Sequence, residues 1–530
     1  MEISPPWKAV FTVAVCGILW LMLNMYKSIV SNPRKIRSKL ERQGIKGPPP
    51  SVLYGNIPDM KRIMQLETLM SVEAKSGDGP LQHNWPPKLF PYYDQWSKQY
   101  GNIFVHSTGN IQHLFMADPN MLKELSSVKS FDIGKPTYLA KDMGPLLGEG
   151  VITSNGADWA HQRKIIAPEF FSDKVKGTIG LMVDSTLEML KTWEDKINME
   201  GAKVEGGVVD IRVDQNLQNL TADVIVKASF GSSFAQGKEM FAKLRTLQSI
   251  MSSTSIFAGI PGIRHLPTKK NRRIWKLKKE IDTMILEVVK QRITMEGGEK
   301  DLLQKILEAA GKVGDVENSL LSKIDRDKFI IDNCKIIYFA GHETSATTAS
   351  WALVLLATHP YWQNRCRAEI QELCGDRFPD VDALRNMKTL NMVIQETLRL
   401  YPPSSFVVRE VFQDLKLKDI LLPKGVNLRI PVPMIHQNPD IWGSDVHEFN
   451  PDRFSKGVLG ACKAPQCYIP FGVGARICLG QNFAMMELKI ILALILQRFR
   501  FSLSPEYRHS PSFRIVIEPR HGVNLLVQKV

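Results

Sequence analysis

No CxxC pair occurs in the 530 residues, and the seven cysteines, an odd number, are scattered at positions 16, 334, 366, 374, 462, 467 and 478. That spacing excludes zinc-ribbon and iron–sulfur frameworks and argues for a reducing compartment, where the formal sequon Asn219-Leu220-Thr221 is expected to stay unmodified. Repeats and low-complexity stretches are missing beyond residue 60, as is any linker that would divide the body into independent cores. Only one long apolar run is present, which excludes a multi-spanning chain. Acids are in deficit, 54 against 68 Lys and Arg, a net charge of +14. Such a balance fits anionic lipid or an acidic protein as partner. The densest basic run, Lys269 to Lys279, carries Trp275 as its only aromatic residue and reads as a solvated or membrane-facing helix, with no nucleic-acid partner expected.

The single apolar run extends from Ala9 to Tyr26, long enough to cross a hydrocarbon core, with Asn24 as its only strongly polar residue. Lys27, Arg34, Lys35, Arg37, Lys39 and Arg42 follow it, while only Glu2 and Lys8 precede it. The positive-inside rule then puts the body in the cytoplasm and the N-terminus in the lumen, a single-pass arrangement in the endoplasmic reticulum membrane. No A-x-A cleavage site follows, so the run is expected to be retained rather than removed as a signal peptide. Gly47-Pro48-Pro49-Pro50 resists helix formation and is expected to be a semi-rigid spacer. The organisation read from these signals is an anchor over 1–30, a basic and proline-rich hinge over 31–60, and a body over 61–530.

In the body, apolar positions recur at three- and four-residue spacing through Val175 to Trp193, Leu217 to Phe230, Trp275 to Met295 and Phe483 to Phe499. A proline-free run from about Asp325 to Thr358, stopped by His359-Pro360, predicts a helix of roughly 50 Å. Strand-like material is confined to Asn102–Phe104, Leu415–Leu422 and Arg514–Val527. A mainly α body with small peripheral β-sheets is expected.

Chemistry concentrates in a few segments. Phe471-Gly472-Val473-Gly474-Ala475-Arg476-Ile477-Cys478-Leu479-Gly480 runs into an apolar helix, so the Cys478 thiol sits at a helix entrance, where exposed amides favour the metal-binding thiolate. Taken alone, a lone cysteine in a glycine-rich turn is more simply a buried structural thiol. Cys462 and Cys467 read as plain thiols. In the middle of the long helix stands Ala340-Gly341-His342-Glu343-Thr344-Ser345. Gly341 should leave room beside the helix, and the Thr344 hydroxyl can bond back one turn and open a groove. A zinc HExxH fails because position 346 is alanine. Glu396 and Arg399 lie one turn apart on one helix face, normally a weak surface pair. Trp159, Arg163, Arg409 and Arg476 offer donors matched to carboxylates, although each taken singly is a commonplace surface residue.

The segment from Phe471 to Gly480 resembles the FxxGxRxCxG loop of the cytochrome P-450 superfamily at each fixed position. Residues 340–345 resemble that family's (A/G)Gx(D/E)T(T/S) motif, Glu396-Thr397-Leu398-Arg399 its ExxR motif, and Pro451-Asp452-Arg453-Phe454 its PxRF element. The AGHETS, ETLRLYPP and PTKKNRR wording is similar to the plant microsomal branch that contains gibberellin and terpenoid oxidases. The resemblance covers roughly residues 45 to 530. It implies a single-domain fold with haem b held through iron by Cys478, and propionates met by Trp159, Arg163, Arg409 and Arg476. It further implies Glu343 and Thr344 as proton-handling catalytic residues, and Glu396, Arg399 and Arg453 as a buried structural network.

The activity so implied is a monooxygenase acting on an apolar small molecule, with electrons from NADPH through NADPH-cytochrome P-450 reductase and membrane lipid as a further partner. A polycyclic terpenoid is the expected substrate, in a pocket from Phe131 to Leu147, Ile337, Ala340 and Ser404 to Val408. The apolar run Ile256 to Ile263 reads as a lipid-dipping entrance. A haem-thiolate isomerase or dehydratase, a non-catalytic haem carrier, and a monooxygenase of fatty acids or phenylpropanoids are the alternatives. Glu343 and Thr344 argue against the isomerase.

Overall fold

The computed structural model describes residues 6–73, 81–129, 131–201, 207–231, 237–252, 265–294, 301–314 and 323–530. The expected entrance at Ile256 to Ile263 lies outside them. Helices dominate: α1 (Pro6–Tyr26), α2 (Asn32–Glu41), α3 (Gly156–Ile166), α4 (Ile179–Glu200), α5 (Val213–Phe230), α6 (Gly237–Ser252), α7 (Lys269–Thr294), α8 (Lys323–Thr358), α9 (Lys388–Leu400) and α10 (Gln481–Arg498) are those that matter to the site. The main sheet has β1 (Ile103–Thr108), β2 (Ile111–Met116), β3 (Ile133–Gly134), β4 (Phe406–Val411) and β5 (Asn427–Pro431). Their order is β1-β2-β5-β4-β3, with only the β2–β5 pair parallel. A second sheet joins Val209–Arg212, Asn524–Lys529 and Phe499–Leu503.

Helix α8 runs through the centre of the body. It lacks proline over 36 residues, and from Ile330 to Ala357 nearly every side chain is buried, polar ones included. His359-Pro360 ends it because proline cannot continue the backbone ladder, while the same proline opens the next helix. Helix α5 packs along α8 at Gly341, where a Cβ would come within 2.4 Å of the Ile225 side chain. Ile225 therefore packs into the room that Gly341 leaves beside the helix, and both residues line the cavity described below. Helix α10, apolar almost all round, is enclosed between α4, α8 and α9.

Three expected runs are more broken than read, Leu415 to Leu422 dividing into Leu415–Leu417 and Ile420–Leu422. Val175 to Trp193 divides at Gly177 between a short turn and α4, and Arg514 to Val527 divides into Ile517–Pro519 and part of Asn524–Lys529. From Val10 to Tyr26 helix α1 stands exposed, and it is long and apolar enough to span a membrane, consistent with an anchor. The proline-rich segment after it lies against the body. Lys46 O accepts from Val105 N at 3.1 Å, and a Cβ on Gly47 would strike the Val105 carbonyl oxygen at 1.8 Å. Arg37 donates to Gly47 O and Pro48 O, both at 3.0 Å.

Candidate functional site

A cavity of about 360 Å³ lies between α8 and the segment leading into α10. Positions 337, 340, 341, 344, 345 and 348 share one face of α8 and line it, as their spacing of three and four requires. Opposite stands the loop 471–480. Gly472 and Gly474 hold φ of 81° and 71°, the left-handed region that glycine enters without strain, and Cys478 N donates to Phe471 O at 2.9 Å, turning the thiol inward. By surface area Cys478 is exposed, yet protein surrounds its sulfur, because the free area faces the cavity. Burial pushes the thiol up from its ordinary range, against the Gly480 amide and Arg163, which pull it down.

Along the rim the expected carboxylate binders converge. Arg476 lies 4.0 Å over the Trp159 ring and donates to Ser154 O and Asn155 Oδ1, both at 2.8 Å, while its buried Nε has no acceptor. Arg163, 5.6 Å from the same ring, donates to Ile477 O at 3.1 Å and so ties α3 to the cysteine loop. Arg409, on β4, donates to Val408 O and Val473 O.

Lys135 joins them; it falls within the expected pocket region Phe131 to Leu147, but its place beside these cations was not foreseen because no motif surrounds it. Its backbone is fixed to Asn155 by paired hydrogen bonds of 2.8 and 2.9 Å, and Asn155 also holds Arg476. Burial, then Arg409 and Arg476, bring the Lys135 ammonium down to about 7. Burial lowers Arg409 to about 10, and burial with Arg409 and Arg163 lowers Arg476 to about 9. No carboxylate among the described residues offsets this cluster, so the rim suits a group that carries carboxylates.

Thr344 donates to Ala340 O at 2.8 Å and reaches the cavity wall. Glu343, a quarter-turn away, does not line the cavity. It is buried against His342 Nε2 at 3.2 Å and faces Arg245 and Gln248 of α6, also unforeseen. Burial pushes its carboxyl up, but His342, Arg245 and Gln248 together outweigh that and hold it low. Of the expected pocket positions, Ile337, Ala340, Ser404, Phe406 and Val407 line the cavity, whereas Phe131 to Leu147 contributes only Lys135. Phe131 itself points outward, 62% exposed.

Beneath the site, Glu396 and Arg399 are wholly buried and joined by bonds of 2.7 and 2.8 Å. Arg399 gives its other donors to the carbonyls of His436, Val446 and Glu448. Arg453 is 3.6 Å from Glu396, but its closer partner is Asp445 at 2.7 Å.

Comparison with known proteins agrees with this geometry. Residues 81–524 match the Cytochrome P450 family. The chain is 47% identical to Cytochrome P450 714C2 of Oryza sativa subsp. japonica, with 99% of each chain covered, and 44% identical to Cytochrome P450 714A2 of Arabidopsis thaliana, with 98% of each covered. The crystal structure of the cytochrome P450DA heme domain superposes with a TM-score of 0.68 at 25% identity, over 83% of this chain and 93% of that one. A thiol-bearing loop facing a central helix across a cavity with a cationic rim, in a chain this similar to those proteins, belongs to the cytochrome P450 family, as a haem-dependent monooxygenase.

Proposed function

We propose that this monooxygenase hydroxylates a polycyclic terpenoid, of the gibberellin-type diterpenoid or triterpenoid class, using electrons from NADPH-cytochrome P450 reductase at the cytoplasmic face of the endoplasmic reticulum membrane. One observation carries the reading: the Cys478 thiol and the Thr344 hydroxyl open from opposite sides on one largely apolar cavity. Ile337, Ala340, Phe406 and Val407 give that cavity walls suited to a bulky apolar molecule with few polar groups. The likeness of the motifs to the plant microsomal branch supports the terpenoid class.

In this reading Cys478 would hold the haem iron through its thiolate, and Trp159, Arg163, Arg409, Arg476 and Lys135 would meet the propionates. When bound, haem b would supply the activation of dioxygen, one oxygen atom entering a carbon–hydrogen bond and the other leaving as water with two electrons from the reductase and two protons. Thr344 holds a hydroxyl hydrogen bond at the cavity wall, and Glu343, kept ionised by its neighbours, stands behind it as the proton-relaying carboxylate. Glu396, Arg399 and Arg453 fix the frame under the cysteine loop.

Residues 1–30 serve as anchor and 31–60 as the connection to the catalytic body over 61–530. The basic run Lys27 to Arg42 keeps the body cytoplasmic, and exposed Lys463 contributes to a basic surface for an acidic reductase. The test is reconstitution with reductase and NADPH, challenged with diterpenoid acids, triterpenoids, fatty acids and phenylpropanoids, following substrate-induced spectral shifts and products. Turnover confined to fatty acids or phenylpropanoids overturns the terpenoid assignment.

A further inference from the structure

A second cavity, of about 150 Å³, lies where the chain leaves the apolar helix and meets the main sheet. Its walls include Ser28, Gln112, Thr137, Tyr138, Glu410 and Asn427. Gln112 and Asn427 are each only 4% exposed, and Gln112 Oε1 and Asn427 Oδ1 accept no hydrogen bond. Glu410 Oε2 accepts from Thr137 N at 2.6 Å, and no Lys or Arg among the described residues is paired with its carboxylate. Two buried acceptors without the donors that such oxygens require thus meet the half-exposed Glu410 carboxylate in one small space. The complement is a compact cation with several N–H groups.

The place of the cavity identifies the molecule that carries such a cation. Ser28 is two residues beyond Tyr26, the last residue of α1, and Asn110 of the β1–β2 turn donates to Ser28 O at 3.4 Å. A membrane-spanning α1 therefore sets the cavity at headgroup depth. Lys27, Arg34 and Lys35 are exposed on the same stretch. Acceptors inside and cations outside match a zwitterion with its ammonium inward and its phosphate outward.

We propose that this cavity binds the headgroup of an ethanolamine phospholipid: its primary ammonium donates to Gln112, Asn427 and Glu410, and its phosphate meets Lys27 and Arg34. A choline headgroup has no N–H to donate, and a serine headgroup brings a carboxylate against Glu410. Adjacent residues connect the two cavities. Lys135 and Arg409 line the large one, while Thr137 and Glu410 line this one.

The inference rests on the membrane-anchored reading above, and the experiment separates the two. Full-length haem-loaded protein is mixed with liposomes of phosphatidylcholine alone or of phosphatidylcholine, phosphatidylethanolamine and phosphatidylserine in equal parts, and floated, after which lipid retained in mild detergent is counted by native mass spectrometry. Retention of one phosphatidylethanolamine in preference to phosphatidylcholine and phosphatidylserine is expected. Glu410→Gln and Gln112→Leu should each lower that preference about tenfold, in protein that keeps its thiolate carbon monoxide band. Equal retention of all three lipids by floating protein overturns the headgroup site alone. Failure to float overturns the anchor and the site with it. Soluble glycerophosphoethanolamine that displaces the lipid at equal concentration makes this a free-amine site and also overturns the proposal.

Discussion

A thiol and a hydroxyl that share one cavity have different work, and single substitutions separate them. Cys478→Ser removes the thiolate and is expected to abolish the red-shifted Soret band of the reduced carbon monoxide complex. Cys467, fully buried with its thiol pushed up to about 12 by burial, and half-buried Cys462 should be replaceable by serine with that band kept. A normal band in the Cys478→Ser protein would remove this residue from the metal. Thr344→Ala should leave the cavity and substrate binding in place but lower product formed per NADPH, with the difference appearing as peroxide. General acid–base contributions run to about a hundredfold or more, so the change in coupling is measurable. Unchanged coupling would leave the Thr344 to Ala340 bond with a purely structural role.

Between elements, charge buried without water decides what can be removed. Helix α9 holds Glu396 and Arg399 at zero exposure, and every guanidinium donor of Arg399 has an acceptor. Glu396→Ala leaves that cation unpaired, a loss of about 3 to 5 kcal/mol, to be read as a fall in the denaturant midpoint. A shift under 1 kcal/mol would mean that the carbonyls alone suffice. Where α10 meets α8, Glu487 is fully buried with both oxygens short of partners, and burial, partly opposed by Ser345, pushes its carboxyl up to about 8. The folded state holds this proton more tightly than the unfolded state, so its stabilising effect is complete below the unfolded carboxyl range and is lost as pH rises to about 8. The slope is about 1.4 kcal/mol per pH unit inside that window. Glu487→Gln should flatten the decline, and parallel melting curves for both proteins from pH 5 to 9 would refute it.

How much of this was legible depends on whether the chemistry is local in sequence. The α8 boundary at His359-Pro360 and the place of Cys478 just before the start of α10 follow from proline and glycine at fixed places, so both were read correctly. Arg399 was equally legible as half of an i,i+3 pair, but its carbonyl acceptors at His436, Val446 and Glu448 lie dozens of residues away, and Asp445, near Arg453 in sequence, belongs to no motif that marks it as a partner. The places of Lys135 and Arg245 were missed for the same reason. Each is an unremarkable cation until the fold sets it beside Arg476 or Glu343. Gly341 was read as space because a missing side chain shows in sequence, whereas the Ile225 that fills it does not.

Over the whole molecule, the connection between anchor and body proves to be part of the body. Leu40 is wholly buried, Ile45 is 7% exposed, and Arg37 bridges to Gly47 O and Pro48 O. Asn56 donates to Pro48 O and Pro49 O, and the Val105 amide depends on Lys46 O. A free proline spacer would leave those groups to water and those side chains exposed. Two truncations therefore have different expected outcomes, although both lack α1. A chain beginning at residue 32 keeps every one of these contacts and should melt close to the full-length protein. A chain beginning at residue 51 loses the burial of Leu40 and Ile45, each worth roughly 1.5 to 3 kcal/mol, and leaves the Val105 N–H and Asn56 amide without acceptors. Its melting temperature should fall by about 5 °C or more. Equal melting of the two truncated proteins would show that residues 32–50 are held by the body only loosely, and would return Gly47 to Pro50 to the role of a semi-rigid spacer.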